Sequence, residues 1–154
     1  MRAARYWAVR HARALEWIYL RFEPLLFRLA PLLQHKRLER PITAVERTLK
    51  GFLFDCQMCG HCVLSDTGMA CPMNCPKQLR NGPCGGVRAN GHCEVDPSMR
   101  CVWVEAHQGS QRMRHGNRIR MLQLPVDASA QGQSSWLAVI RNKKKTAVES
   151  VHEV

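Results

Sequence analysis

The strongest constraint on this chain is that all eight of its cysteines fall between residues 56 and 101. They run Cys56-x2-Cys59-x2-Cys62-x8-Cys71-x3-Cys75-x8-Cys84-x8-Cys93-x7-Cys101. Gly60, Gly68, Gly82, Gly85, Gly86 and Gly91 are interleaved with them, as are Pro72, Pro76, Pro83 and Pro97. Glycine and proline at this density interrupt helices and strands alike, and the stretch carries few large apolar side chains to bury. Thiolates converging on metal are the expected organiser, because metal binding then supplies the folding energy that a small core lacks.

The spacing has chemical content. Two residues between successive cysteines are too few for Cys56, Cys59 and Cys62 to pair among themselves, but they allow three thiolates to wrap one corner of a cubane. Bacterial ferredoxin runs begin this way and often end on a cysteine followed by proline. Cys71-Pro72 and Cys75-Pro76 both have that successor, which stiffens the turn after a ligand. Eight thiolates are the complement for two sites of four. The favoured reading is two [4Fe–4S] clusters held by Cys56, Cys59, Cys62, Cys71, Cys75, Cys84, Cys93 and Cys101. One [4Fe–4S] cluster plus a structural zinc, or zinc only, uses the same ligand type. The triple Cys56/Cys59/Cys62 is expected to share one centre; spacing leaves open which later cysteines complete it. His61 and His92 read as ordinary loop histidines. Met58, Met69, Met73 and Met99 either wall a centre from water or fill gaps in a small core.

Catalytic patterns are weak. No phosphate-binding loop of P-loop or dinucleotide type occurs, and Asn81-Gly82-Pro83-Cys84-Gly85-Gly86 reads as a turn presenting Cys84. Asp55, Asp66, Glu94, Asp96 and Glu105 are scattered and read as solvated loop acids. No catalytic residue is assigned. The chain has 154 residues, short of the ~200 that a β/α barrel requires.

Charge is unevenly spread. Residues 1–50 carry 11 Lys/Arg against 4 Asp/Glu, residues 51–105 carry 4 against 5, and residues 106–154 carry 8 against 3, giving a formal +11. A near-neutral cysteine block between basic arms suits docking onto an acidic partner better than a nucleic-acid grip. No secretory signal is recognisable and no run is apolar enough for a membrane span, so a reducing, cytoplasmic setting is expected, where clustered cysteines mean metal or redox work. The Arg-rich opening also has the composition of a transit peptide or a membrane-surface helix.

Trp7, Ala14, Ile18, Phe22, Leu25, Leu29 and Leu32, with His11, define one helical face. Breaks or kinks are expected near Pro24 and Pro31. The stripe packs either on the chain's own core or on another protein. A second helix is expected from Pro41, with Ile42, Val45, Leu49 and Phe52 on one face, bracing the metal core. Val102-Trp103-Val104 reads as a short strand or a core closure, and Trp136–Ile140 as a last anchor before a solvated tail, Arg141–Val154. The expected fold is a small α plus irregular metal-stabilised domain: amphipathic helices, then a loop-rich cysteine core with little or no β-sheet. Its divisions are a basic helical arm (1–40), an eight-cysteine domain with its bracing helix (41–107), and an extended basic tail (108–154).

Taken together, Phe54-Asp55-Cys56-Gln57-Met58-Cys59-Gly60-His61-Cys62, Cys71-Pro72-Met73-Asn74-Cys75-Pro76-Lys77, Asn81-Gly82-Pro83-Cys84-Gly85-Gly86 and Gly91-His92-Cys93-Glu94-Val95 leading to Cys101-Val102-Trp103 resemble the methylenetetrahydrofolate reductase C-terminal domain family over about residues 41–107. That family includes the small iron–sulfur subunit of acetogen-type reductases and stand-alone proteobacterial members. The resemblance implies a flavin-bearing barrel partner that reduces methylenetetrahydrofolate, and electron transfer as the task of the cysteine core, with the N-terminal arm as docking element. A further redox donor is compatible with that role. Clusters move single electrons and folate reduction needs a hydride equivalent, so a flavin stands between them. With no barrel and no flavin motif of its own, the chain is not expected to reduce folate alone. The alternative is a zinc-stapled interaction module for the same reductase without a redox role.

Overall fold

The computed structural model describes residues 2–33, 35–82 and 84–142. The helices in chain order are α1 (Arg2–Arg10), α2 (Ala12–Arg28), α3 (Ala30–Leu33), α4 (Lys36–Phe54) and α5 (Val102–Ser110), followed by a helical segment at 135–142. Among the described residues, extended pairing is confined to two isolated antiparallel bridges, Val87 with Cys93 and His92 with Arg100. The chain is thus mostly helical around an irregular cysteine block, as the sequence predicts. Residues 143–154 of the expected tail lie outside the described residues.

The helix boundaries correct three expectations. α4 starts at Lys36 rather than Pro41, which sits inside it. One missing amide near a helix start sacrifices a single intrahelical bond, and Ile42 and Phe54, packed into core clusters, offset it. α2 likewise runs through Pro24 without ending. The breaks fall at His11 and at Leu29, two residues before Pro31, which has no amide to donate to the preceding turn. Val102-Trp103-Val104 opens α5 instead of forming a strand, with extended Cys101 as its N-cap. Val102 and Trp103 are buried there and Val104 is not, a helical pattern of burial.

Three apolar clusters organise the packing. Val9 joins Ala70, Met99, Val102, Trp103 and Ala106 in the first, which contains Cys75, Cys93 and Cys101. Ala8 and Ala12 meet Phe54, Leu64, Met69 and Met113 in the second, which contains Cys71. Leu26 and Ala30 meet Leu137 and Ile140 in the third, confirming 136–140 as an anchor. Small residues on α1 and the start of α2 therefore allow close approach to α4 and α5.

The 63–70 loop rests directly on α5. Gly68 has φ +60°, and a Cβ there would lie 2.2 Å from the Ala106 carbonyl oxygen. A Cβ on Gly109 would lie 2.0 Å from the Gly68 carbonyl oxygen. Only glycine permits this approach at that backbone conformation.

A buried carboxylate ties α2 to the segment after α5. Glu16 accepts the backbone N–H of Arg114 at 2.6 Å and of His115 at 3.0 Å, and its Oε1 lies 2.9 Å from His115 Nδ1. Burial alone would raise its pKa, but these bonds outweigh burial and hold it below the ordinary 4.5.

Candidate metal centres

The cysteines separate into two sets. Cys56 leaves directly from the end of α4: Asp55 is left-handed (φ 53°), its N–H bonds the Gly51 carbonyl at 3.0 Å, and the Cys56 N–H bonds the Lys50 carbonyl at 3.3 Å. This closure of a helix by a left-handed residue fixes the first thiol on a rigid element. The chain then turns through Met58 (φ 50°) and Gly60 (φ 77°). A left-handed methionine is an uncommon, strained conformation for a residue with a Cβ. Cys56, Cys59 and Cys62 come together with Cys71 around one cavity of about 20 Å³. Cys59 and Cys71 are buried, Cys56 is half-buried and Cys62 is exposed.

Three other residues shape this cavity's chemistry. Arg80 lines it, donating Nη2 to the His61 carbonyl at 2.8 Å and Nε to the Leu124 carbonyl at 3.2 Å. Its Nη1 is buried without a hydrogen-bond partner. Glu46 and Ser135 also line it, and they belong to a buried network. Lys50 Nζ lies 2.6 Å from Glu46 Oε1 and 2.7 Å from Ser135 Oγ, Ser135 donates to Glu46 at 2.6 Å, and Ser134 donates to Glu46 Oε2. Burial works against the Lys50 ammonium, but Cys62, Glu46 and Cys56 outweigh it and hold its pKa above the ordinary 10.5. Burial likewise would raise the Glu46 pKa, yet Lys50 and the two serines keep it low.

The thiols themselves are polarised. The Cys71 thiol donates to Cys56, which, aided by the Met58 N–H and Lys50, pushes the Cys56 pKa down to about 6. The same bond, together with burial, pushes Cys71 up.

The second set is Cys75, Cys84, Cys93 and Cys101. Cys75, Cys93 and Cys101 are buried in one cluster and Cys84 packs against it. The bridges at Val87–Cys93 and His92–Arg100 bring 84–93 onto 99–101, with the Cys93 N–H bonding the Met99 carbonyl and the Cys101 N–H the Gly91 carbonyl, both at 3.0 Å. Trp103 covers the 79–82 turn, its indole N–H donating to the Leu79 carbonyl at 3.3 Å. Lys77 pairs with Glu94 beside this set, both about two-fifths exposed. Glu105, one turn on from Cys101, pairs with Arg100 at 2.7 Å.

The two sets share a detail. The amide two residues on donates to the cysteine sulfur at Cys56 (Met58 N–H, 3.4 Å) and at Cys84 (Gly86 N–H, 3.4 Å), and Met73 does so to Cys71. Such N–H···S bonds stabilise thiolate and tune centres built on it. His61 lines the first cavity and accepts from Arg80 through its carbonyl, and the His92 ring faces the Asn90 carbonyl at 3.3 Å. Met58 walls the first cavity, whereas Met69 and Met99 fill the helical core. Among the described residues, no three His, Cys, Asp or Glu side chains close on a single ion. The first set is a ring of thiols about a cavity rather than a coordination shell about a point. Its all-sulfur donor set, sulfur-directed amides and partnerless guanidinium N–H fit an anionic metal–thiolate group.

The Glu46–Lys50 pair was legible as an i,i+4 contact on a helix; Arg80 gave no sequence signal, because its role follows from a long-range approach.

Beside the first set, α2 and α4 stand apart. Two apolar cavities of about 200 and 320 Å³ lie between them, both lined by Phe22 and Trp136, and Cys62 lines the first. The predicted stripe faces this groove and solvent: Trp7, Ile18, Leu25, Leu29 and Leu32 are between two-fifths and three-fifths exposed. The arm's inward contacts are made by Ala8, Val9, Ala12, Glu16, Leu26 and Ala30 instead. No helix among the described residues is long and apolar enough to cross a membrane.

A family model described as methylene-tetrahydrofolate reductase C terminal matches residues 35–129 of the chain. No curated protein and no solved structure matches it.

Proposed function

This chain belongs to the methylene-tetrahydrofolate reductase C-terminal family, and on that premise we propose that it is the iron–sulfur accessory subunit of a methylenetetrahydrofolate reductase-type complex. Cys56, Cys59, Cys62 and Cys71 hold one [4Fe–4S] cluster, and Cys75, Cys84, Cys93 and Cys101 hold a second. When bound, the clusters supply one-electron redox chemistry, which links to hydride chemistry only through a flavin carried by a separate barrel subunit. This chain's residues hold the thiolates in place, direct amides at sulfur and exclude water with Met58, Trp103 and the helical core.

The observation that carries the reading is the first cavity, where four thiols meet a buried guanidinium nitrogen without a partner. A buried cation left unpaired is costly, and an anionic metal–thiolate group would relieve it. The α2–α4 groove supports the partner assignment. It is apolar and concave, with Arg21 and Arg28 interleaved between Ile18, Leu25 and Leu32 at steps of three and four residues. The catalytic subunit seated there through an apolar, acid-flanked segment would stand next to Cys62.

Anaerobic purification followed by metal and acid-labile sulfide analysis tests the proposal. About eight iron and eight sulfide per chain are expected, with broad visible absorbance that dithionite bleaches. A colourless protein with stoichiometric zinc would remove the relay role and leave a zinc-stapled interaction module.

A further inference from the structure

We propose that Arg80 and Lys50 are fixed cations that set the centre of Cys56, Cys59, Cys62 and Cys71 at a higher reduction potential than the centre of Cys75, Cys84, Cys93 and Cys101. Electrons entering the chain then collect on the centre beside the α2–α4 groove. The inference rests on the iron–sulfur reading above and adds the order of the two centres and the residues that impose it.

The least solvated charges around the first set are Lys50, Glu46 and the Arg80 guanidinium with its buried Nη1, whereas Asp127, on a wall shared with Cys62 and Arg80, is exposed and screened, and Asp55, next to Cys56, is partly so. Lys50 and Glu46 are nearly inaccessible, with side chains 8% and 1% exposed. Arg80 has no carboxylate partner among the described residues, and its Nη1 is buried. Lys50 offsets the charge of Glu46, whose oxygens also accept from Ser134 and Ser135, so the positive charge left over beside the thiols is that of Arg80. Lys50 and Cys62 form part of the same cavity wall. Around the second set the charges are matched: Lys77 with Glu94, and Arg100 with Glu105. The Lys77–Glu94 pair is open to solvent, where screening leaves little net field. Reduction adds negative charge to a centre. A buried positive field favours the reduced form and raises the potential, whereas charges matched in pairs do not.

A second consequence follows from position. Cys62 is the exposed cysteine, and it lines the groove. The more readily reduced centre is therefore the one that a partner seated in the groove would meet.

The test is an EPR-monitored redox titration of the iron-loaded full chain. The wild type should show two reduction waves. Arg80→Gln should move the upper wave downward and leave the lower one in place, with Arg80→Lys restoring part of the shift. Glu46→Gln should move the upper wave in the opposite direction, since it deletes an anion and leaves Lys50. Lys50→Met alone strands a buried carboxylate and is at risk of not folding, so Glu46→Gln/Lys50→Met serves as its folded counterpart, with a smaller downward shift. Opposite signs from Arg80 and Glu46 variants are not what a merely structural role produces. An unmoved upper wave in iron-replete Arg80→Gln, or a shift of both waves together, overturns the charge assignment. Absence of iron from the wild type overturns the iron–sulfur reading, and with it this one.

Discussion

Glu16 offers the sharpest stability test, because one buried side chain joins segments almost a hundred residues apart. Its carboxylate is 7% exposed and sits against two backbone amides and the His115 ring. Hydrogen bonds to a charged acceptor are worth about 1.5–3 kcal/mol each, and deletions in one network do not add. Arg114 and His115 are exposed, so water recovers part of the loss. Glu16→Ala should therefore cost about 3 kcal/mol, and Glu16→Gln, which keeps one acceptor, about half of that. The pH dependence has a definite sign. The folded-state pKa is held below the ordinary 4.5, so the contribution is complete above that value and lost as pH falls through the folded pKa. Urea denaturation of metal-replete wild type and Glu16→Ala at neutral pH and in steps below pH 4.5 measures the gap directly. The gap should shrink on acidification. A neutral-pH difference under about 0.5 kcal/mol, the scatter of an ordinary surface substitution, would refute the clamp, as would a gap that stays constant for as long as the wild type remains folded.

Three further outcomes are expected. Cys59→Ser and Cys93→Ser should each lose about half of the bound iron, and the combined variant nearly all of it; loss of the same half by both would break the assignment of the eight cysteines to two sets. Ile18→Asp should weaken binding to the reductase catalytic subunit about 30-fold, the effect of removing a ~2 kcal/mol anchor, with iron content unchanged in metal analysis. Gly68→Ala places a Cβ 2.2 Å from the Ala106 carbonyl oxygen at φ +60°, and should lower stability by about 3 kcal/mol in denaturant titration through backbone strain and overpacking; a neutral result would mean that the loop does not bear on α5.

Steps of three and four residues made the helices of the arm and α4 visible without the fold, but they pointed to the wrong bracing face of α4: Val45, Leu49 and Phe52 are exposed, and Glu46, Lys50 and Phe54 are the buried residues. The helix ends were less legible. Proline marks where a helix is disfavoured, but Pro24 and Pro41 were overridden by the apolar neighbours that pack around them. Val102-Trp103-Val104 is short enough to read as strand or helix; what decides is that Val102, Trp103 and Ala106 meet Val9 from the other end of the chain. The cysteine block was legible as chemistry and not as partition. Cys71 and Cys75 are separated by three residues, yet Cys71 joins the first set and Cys75 the second. The turn through Pro72–Asn74 sends them to opposite sides, a consequence of geometry that spacing does not encode. Arg80 shows the same limit, since nothing in its neighbours announces a guanidinium with one nitrogen buried and partnerless.

The arm reverses the usual logic of an amphipathic helix. Its inward face is small or polar, Ala8, Val9, Ala12 and Glu16, while Trp17, Ile18, Leu25, Leu29 and Leu32 stay exposed on α2 and α3, and Val45, Leu49 and Phe52 are exposed on α4. Scattered apolar residues on a surface need no explanation, but a contiguous run along two facing helices marks an interaction site. Small inward residues have a consequence for that run. They let α1 sit close on α4 and α5, while the far half of α2 stands off from α4 with the groove open between them. Phe22 and Trp136, in edge contact at 5.3 Å, line both cavities. Filling the 200 Å³ cavity from within, by Leu53→Trp, should therefore block partner binding without replacing any cysteine, and retention of wild-type affinity in a pull-down with the catalytic subunit would place the docking surface elsewhere.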